Sequence, residues 1–457
     1  MATAMRFTAT ELAQATDGVL HVPTGTPDLG GAEMDASRIE VDGVAIDSRL
    51  VRRGQLFVPI VAERDGHDFI AAAVAAGGVL VLTQERAPED VASIAVADTS
   101  AALLDVGRLA RRQLSTLVVG ITGSVGKTST KDLAASALAR RWRTTASERS
   151  FNNELGVPLT LANAPEGTQA AVIEMGARAR GHVELLCDVA KPTVGVVTAV
   201  VHAHTEMFGS IEEVAIAKGE LVESLPAAGT AVLNLDDERV ASMAGRTAAR
   251  VLGYSVAGAP GADLTASGIV LDDQLRATFR LHTPSGEAEV LLAVHGEHQV
   301  ANALAAAGAA LACGVSIEDI AAGLGDALLS PWRMELHQAP SGAVVLNDSY
   351  NANPTSMAAA LRALAAVPAR RRVAVLGLMA ELGDRSLVEH EAVLALADEL
   401  GIDVIPFETE AYGSAPAAEG VDGAVAALGP IGDGDAVLVK GSRVAGLERV
   451  AAALTEG

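Results

Sequence analysis

Seven consecutive residues, Thr122-Gly-Ser-Val-Gly-Lys-Thr128, have the composition and spacing of a phosphate-binding loop. Glycines let backbone N–H groups turn toward phosphate oxygens, and a helix start adds partial positive charge. We expect Lys127 to contact the terminal phosphates and the Thr128 hydroxyl to bind magnesium. The general motif has an earlier glycine where this chain has Ile121, so the alternative is a glycine-rich turn that caps a helix. The predicted loop residues are Gly123, Ser124, Val125, Gly126, Lys127, Thr128 and Ser129.

Two further side chains that can bind a divalent cation follow apolar segments. Glu174 ends the predicted strand Ala171–Ile173, and His204 follows the predicted strand Val194–Thr198. Strand ends line the ligand crevice in sheets of this kind. The alternatives are an exposed acid at a strand end and an ordinary histidine in a loop.

Lys218 falls inside the apolar stripe of a predicted helix. The helix starts with the capping box Ser210-Ile-Glu-Glu213, and Lys218 lies four residues after Val214 on the apolar face. Burial disfavours the charged form of the amine, and a neutral amine can react with carbon dioxide to give a carbamate, an oxygen ligand suited to magnesium. The alternative is a lysine whose stem packs while its ammonium group reaches water.

The elements that position these residues alternate between strands and helices, which predicts an α/β fold with a mostly parallel, doubly wound sheet. The two-residue alternation over Leu264–Val294 predicts a β-hairpin, with Thr283-Pro-Ser-Gly286 as a turn. Ser330-Pro-Trp332 looks like a boundary, after which strands and helices alternate again. We therefore predict three domains, 1–112, 113–330 and 331–457. Further strands are predicted at Leu117–Ile121, Ala231–Leu235, Val344–Asn347, Val373–Gly377, Val404–Phe407 and Ala436–Lys440.

Composition restricts the kind of partner. The chain carries a formal net charge of −23, which disfavours nucleic acid and anionic membranes. Its two cysteines lie far apart, so neither a disulfide framework nor a zinc site is expected. The most apolar stretch, Phe69–Leu82, is shorter than the roughly 20 residues that span a bilayer. We expect a cytoplasmic protein that does not insert into membranes.

These motifs together resemble the Mur ligases, whose ATP loop usually lacks the earlier glycine. The segments Glu174-Met-Gly-Ala177, Ala203–Ser210 and Ala217-Lys-Gly-Glu220 are similar to the metal region of that family. The resemblance implies ATP and Mg2+ as cofactors, a carbamylated Lys218, and magnesium ligands Thr128, Glu174, His204 and Lys218. It implies that catalysis depends on Lys127, Lys218, His204 and Arg333. It also implies a small N-terminal substrate domain, a central P-loop ATPase domain and a Rossmann-like C-terminal domain.

Further matches extend over the whole chain. The resemblance places Asn302, Arg333 and Asp348 near the nucleotide, and it assigns substrate binding to Asp47, Ser48, Arg49, Asn152, Asn153, Tyr350 and Asn351. The strings Asn347–Met357, Leu376–Gly383 and Val439–Arg443 are similar to members that add D-alanyl-D-alanine. The implied reaction joins D-alanyl-D-alanine to UDP-N-acetylmuramoyl-tripeptide through an acyl phosphate, in peptidoglycan precursor synthesis.

Some positions depart from the family pattern. Ala199, Gln299 and Leu378 replace residues that are commonly asparagine, asparagine and an acid, and His202 stands where a small residue or proline is usual. None of these changes removes a proposed metal or phosphate group. The alternatives are another Mur-type amino-acid ligase and a nucleotide-binding paralogue without catalysis. We expect a monomer.

Overall fold

The protein is described by a computed structural model that covers residues 4–23, 39–84, 87, 89–114, 116–148, 151–201, 208–413 and 416–456. The chain forms two compact units. The first contains Met1–Gly120, Trp142–Gly176 and Val183–Thr193, and the second contains Ile121–Arg141, Ala177–His182 and Val194–Gly457. The strand Leu117–Thr122 and the helix His182–Ala190 have residues in both units. The division into three domains at residues 112 and 330 stays a prediction.

The first unit contains a five-stranded sheet whose strands are two to four residues long. Parallel pairing joins Val44–Ala45, Leu56–Phe57, Leu80–Thr83 and Ser93–Ala95 in turn, and Val19–His21 adds an antiparallel edge. Thr8 and Glu11 form a capping box at the start of the short helix Ala9–Ala15. The helices of this unit are Ala9–Ala15, Ile70–Ala75, Thr99–Gln113 and Gly156–Ala162.

One buried strand of the first unit carries a predicted site residue at its end. Ala170–Glu174 is buried throughout and pairs in parallel with Thr144–Ala146. A strand buried on both faces needs an unbroken apolar run, which Ala170–Ile173 supplies. Glu174 is therefore an acid placed at the end of a strand with no solvent-facing side.

The second unit contains a sheet that changes from parallel to antiparallel. Val194–Val197, Thr230–Asn234 and Arg250–Ser255 pair in parallel, as the sequence predicted. The next strands, Leu264–Leu271, Arg276–Thr283 and Gly286–His295, pair antiparallel, and Thr283 lies opposite Gly286 at the turn. The predicted hairpin is confirmed. The helices of this part are Lys127–Ala139, Ile211–Glu223, Glu238–Ser242, Gln299–Ala312 and Ile317–Gly325.

A second sheet of the same unit follows residue 330. Its strand order is Glu335–Gln338, Val344–Asn347, Asp435–Lys440, Arg371–Leu376 and Asp403–Pro406, with only the first strand antiparallel to its neighbour. Successive residues of a strand point to opposite faces. Leu346 and Leu438 accordingly enter one apolar core, while Val345 and Val437 enter another.

Helices cover both faces of this second sheet. Pro354–Ala366 and Ser386–Glu399 contribute to the core around Leu346, and Gly420–Leu428 and Glu448–Glu456 to the core around Val345. The predicted α/β class with doubly wound parallel sheets is confirmed. None of the helices in the described residues is long and apolar enough to cross a bilayer.

Candidate active site

The predicted phosphate loop lies between the strand Leu117–Thr122 and the helix Lys127–Ala139. Gly126 is the N-cap of the helix, at φ +80°, and as a glycine it has no side chain to cap the first turn. A Cβ on Gly126 would overlap Asn302, and one on Gly123 would overlap Thr198. Both glycines are therefore required by positive φ and by close approach, as a loop whose backbone surrounds phosphate requires.

Hydrogen bonds fix this loop to the segment after the strand Val194–Val197. The Ser124 N–H donates to the Ala199 carbonyl at 2.7 Å, and the Ser124 hydroxyl donates to the Val201 carbonyl at 3.1 Å. The Thr198 hydroxyl donates to the Val125 carbonyl at 2.6 Å. Ala199, a departure from the family pattern, takes part in this contact through its backbone carbonyl.

The two polar side chains that start the helix both face the loop. The Lys127 ammonium donates to the Gly123 carbonyl at 2.8 Å. The buried Thr128 hydroxyl accepts a hydrogen bond of 2.9 Å from Nη2 of Arg333. The structure thus brings together three residues predicted to serve ATP.

Arg333 stacks on the Tyr350 ring, and the residues before and after it have unusual backbone conformations. Its guanidinium lies 3.9 Å from the centre of the Tyr350 ring, a cation–π distance. Trp332 and Met334 adopt positive φ of 64° and 53°, which non-glycine residues rarely do. Within the described chain, the buried Nε of Arg333 has no hydrogen-bond partner. An orphaned cationic donor beside a phosphate loop fits an anionic ligand.

Asp348 lies next to this arginine and is fixed by Lys440, which was not among the predicted site residues. The Lys440 ammonium is 2% exposed and donates to the Asp348 carboxylate and to the Asn351 carbonyl, the latter at 2.9 Å. Burial lowers the pKa of Lys440, and the Asp348 carboxylate opposes that shift. Lys440 is the second residue of the string Val439–Arg443, so a sequence signal was present, but its partner Asp348 lies 92 positions away.

Asn302 is oriented by two polar neighbours. Its amide donates to Gln299 Oε1 at 2.8 Å, and its Oδ1 accepts from the Thr130 hydroxyl at 3.4 Å. Gln299, a departure from the family pattern, therefore supports Asn302. His298 was also absent from the prediction. Burial lowers its pKa, and the charges of Asp348 and Lys440 act on it in opposite directions.

Lys218 is buried in the helix Ile211–Glu223, with 2% of its surface exposed. Burial holds the pKa of Lys218 well below its usual value, and the nearby Lys127 charge adds to the effect. The described part of the chain places no carboxylate within ion-pairing distance of it. The alternative in which the ammonium group reaches water is wrong, and the burial expected from the helical stripe is present.

In the first unit, Glu174 is 1% exposed and accepts a 2.8 Å hydrogen bond from the Asn152 amide. Its own N–H donates to the Ser147 hydroxyl at 3.2 Å. Asn153 uses its Oδ1 to cap Gly156 at 2.9 Å. Both asparagines predicted to bind substrate thus have partners within the protein, and their substrate role stays a prediction.

The predicted substrate-binding residues Asp47, Ser48 and Arg49 lie at the start of a short helical turn, Ser48–Leu50. Asp47 accepts from the N–H of Arg49 at 3.0 Å and from its guanidinium at 2.6 Å, which lowers the pKa of the Asp47 carboxyl. Arg49 is 85% exposed along its side chain, so it can turn toward a ligand. The roles of Asp47, Ser48 and Arg49 stay predictions.

The predicted metal ligands are described only in part. His204 lies outside the described residues. Glu174 belongs to the first unit, whereas Thr128 and Lys218 belong to the second. Among the described residues, no group of three histidine, cysteine, aspartate or glutamate side chains could hold a metal ion.

Family models cover most of the chain beyond residue 120. Residues 121–310 match the Mur ligase middle domain. Residues 332–443 match the glutamate ligase domain of the Mur ligases. The first match contains the phosphate loop and Lys218, and the second contains Arg333, Asp348 and Lys440.

Full-length relatives agree with these matches. The chain is 40% identical to the UDP-N-acetylmuramoyl-tripeptide–D-alanyl-D-alanine ligase of Mycobacterium tuberculosis (strain CDC 1551 / Oshkosh), over 93% of this chain and 96% of that one. A crystal structure of MurF from Acinetobacter baumannii matches with a TM-score of 0.86 and 32% identity over the whole of both chains. MurF from Thermotoga maritima in complex with ADP matches with a TM-score of 0.78 and 26% identity, over 90% of this chain and 96% of that one. The chain therefore belongs to the Mur ligase family, and within it to the UDP-N-acetylmuramoyl-tripeptide–D-alanyl-D-alanine ligases.

Proposed function

We propose that this protein joins D-alanyl-D-alanine to UDP-N-acetylmuramoyl-tripeptide and converts ATP to ADP and phosphate. The observation that carries the proposal is that one unit contains the loop Gly123–Thr128, the buried Lys218 and the Arg333 guanidinium, whose Nε has no partner in the described residues. Amide formation from a carboxylate needs activation, because a carboxylate oxygen is a poor leaving group. The residues of this site suit the phosphorylation that provides it.

In the first step, the terminal carboxylate of the tripeptide attacks the γ-phosphate of ATP, forming an acyl phosphate and releasing ADP. The carboxylate and the triphosphate are both anionic, so catalysis depends on neutralising and positioning them. The N–H groups of the loop and of the first helical turn surround the phosphates. Lys127, which donates to the Gly123 carbonyl in this structure, moves its ammonium group to the terminal phosphate.

In the second step, the free amine of D-alanyl-D-alanine attacks the acyl carbon, and phosphate leaves as the amide forms. The acyl phosphate must be protected from water until the amine arrives. Arg333, half-buried against the Tyr350 ring, supplies a cation at the site. Asp348 and Asn351 both accept hydrogen bonds from Lys440 beside this arginine segment.

Magnesium and a carbamylated Lys218 complete the proposal. Mg2+ would neutralise charge on the phosphates, with Thr128, Glu174, His204 and Lys218 as its proposed ligands. The chain supports this through Lys218, whose amine is buried without a carboxylate partner in the described residues and whose pKa is lowered by that burial, which favours the uncharged form. A neutral amine is the form that adds carbon dioxide. The Thr128 hydroxyl accepts from Arg333 here, so Arg333 must withdraw when the hydroxyl turns to a cation.

ADP formation tests the overall proposal. ADP release should require ATP, UDP-N-acetylmuramoyl-tripeptide and D-alanyl-D-alanine together, and single amino acids should not replace the dipeptide. Lys127→Ala should abolish ADP release, whereas Lys191→Ala, at an exposed lysine paired with Asp188, should leave it unchanged. A Lys127→Ala variant with normal turnover, or wild-type protein that forms no ADP with all three substrates, would refute the proposal.

The carbamate has its own test. Lys218→Ala should lose most activity, and a high concentration of acetate should restore part of it by supplying an oxygen ligand. The intact wild-type protein should gain the mass of one carbon dioxide on Lys218 in bicarbonate. Near-normal turnover of Lys218→Ala would rule the carbamate out.

A further inference from the structure

The segment that carries Arg333 is anchored at its N-terminal end by a lysine–aspartate pair whose lysine is buried. The Ser330 N–H donates to Oδ2 of Asp132 at 2.7 Å. Oδ1 of Asp132 lies 3.0 Å from the Lys131 ammonium, which also contacts the Ser330 hydroxyl at 3.4 Å. Lys131 is 2% exposed. A lysine is rarely buried so completely unless its charge is paired.

The C-terminal end of the segment has the same arrangement. The Met334 N–H donates to Oδ1 of Asp348 at 3.1 Å, and the other oxygen of Asp348 accepts from the buried Lys440. In both cases an aspartate accepts a backbone N–H of the segment while a buried lysine fixes that aspartate. Hydrogen bonds to a charged acceptor are stronger than those between neutral groups.

These two anchors determine where Arg333 lies. Thr128 and Asp132 are four residues apart on the helix Lys127–Ala139, so they share one face. Asp132 holds Ser330, and Thr128 contacts Arg333 three residues later, so the segment follows that face toward the helix start. Trp332 and Met334 keep positive φ on either side of Arg333. Such backbone persists only where surrounding contacts impose it.

We propose that Lys131, Asp132 and Lys440 are positioning residues that place the Arg333 guanidinium for phosphoryl transfer. The proposal rests on the proposed function, in which Arg333 meets ATP. Lys131 and Asp132 hold the segment to the phosphate-loop helix, and Lys440 holds it through Asp348. Together these contacts hold both ends of the segment Ser330–Met334, between which Arg333 reaches Thr128.

A double-mutant cycle tests the proposal, because residues that act through Arg333 have no further effect once Arg333 is removed. Arg333→Ala should lower kcat by roughly 1,000-fold, in the range of arginines that stabilise phosphoryl transfer. Asp132→Ala should lower kcat by about 10- to 100-fold, as expected for a misplaced catalytic group. The double variant should be no slower than Arg333→Ala alone.

Two comparison variants make the cycle specific. Asp326→Ala removes a partner of Arg140, at the end of the same helix, and should leave kcat unchanged because that pair is exposed. Asp132→Asn keeps an oxygen that can accept the Ser330 N–H and should retain more activity than Asp132→Ala. Lys440→Met, run through the same cycle with Arg333→Ala, decides the question independently if Asp132→Ala fails to fold.

Multiplying losses in either double variant would overturn the positioning role, since independent damage to the fold has that signature. Asp132→Ala with wild-type kcat would also overturn it for that end of the segment. Wild-type protein that forms no ADP would instead refute the proposed function, so the two failures can be told apart.

Discussion

Replacing Lys218 by methionine should stabilise the fold while removing activity. The methionine side chain has nearly the length of the lysine side chain but no amine to desolvate. Burying a polar group without a full set of partners costs about 1–3 kcal/mol in proteins. Lys218 is 2% exposed and lacks an ion-pair partner among the described residues, so we expect Lys218→Met to gain about 1–3 kcal/mol of stability against unfolding.

The pH dependence gives this prediction a sign. The pKa of Lys218 in the folded protein lies well below its usual value of 10.5, so the unfolded chain binds an extra proton between those two values. Stability then rises with pH across that window, by at most about 1.4 kcal/mol per pH unit for one proton. The variant lacks this contribution, so its advantage over wild type should shrink as pH rises toward 10.5.

The assay is urea unfolding, followed by circular dichroism at several pH values from about 7 to about 9, in buffers purged of carbon dioxide. Purging keeps the lysine as a free amine, so the comparison concerns the amine alone. ADP release by the same preparations should be near zero for the variant. A variant that unfolds at lower urea than wild type, with an unchanged pH trend, would refute the reasoning.

Three further predictions concern the loop and the second sheet. Gly126→Ala should raise KM for ATP by at least about tenfold. An alanine in left-handed backbone conformation costs about 1–2 kcal/mol, and its Cβ would displace Asn302. A normal KM would count against the loop geometry. Thr198→Val loses the 2.6 Å bond to the Val125 carbonyl and should raise KM for ATP about fivefold with little change in melting temperature, since such a bond contributes about 1 kcal/mol. Burial lowers the pKa of His390, so the unfolded chain takes up a proton before the folded protein does as pH falls below about 6.5. The urea midpoint should therefore drop in this range for wild type and drop less for His390→Gln. Equal drops in the two proteins would contradict this.

The nucleotide loop could be predicted because its function depends on neighbours in sequence. Gly126, Lys127 and Thr128 act through a turn and one helix start, which a short motif describes completely. Lys218 could be predicted to be buried because helical periodicity places it on the apolar stripe. In both cases the physics is local, so the spacing of residue types carries the information.

The parts that could not be predicted depend on partners distant in sequence. Asp132 looks like an ordinary polar residue on a helix until Ser330, 198 positions later, donates its N–H to it. Lys440 stood in a motif, but its buried position follows from the pairing of Asp435–Lys440 with Val344–Asn347. Periodicity predicts which face of a strand is apolar, but it does not identify the strand that pairs with it.

The indole of Trp332 lies 4.6 Å under the Arg443 guanidinium and precedes Arg333 directly. The chain has only one other tryptophan, Trp142. A Trp142→Phe protein would therefore carry a single tryptophan, one residue from the proposed catalytic arginine. Any swing of that arginine on nucleotide binding would change the polarity around the indole, so the emission spectrum would follow the motion in real time without an attached dye.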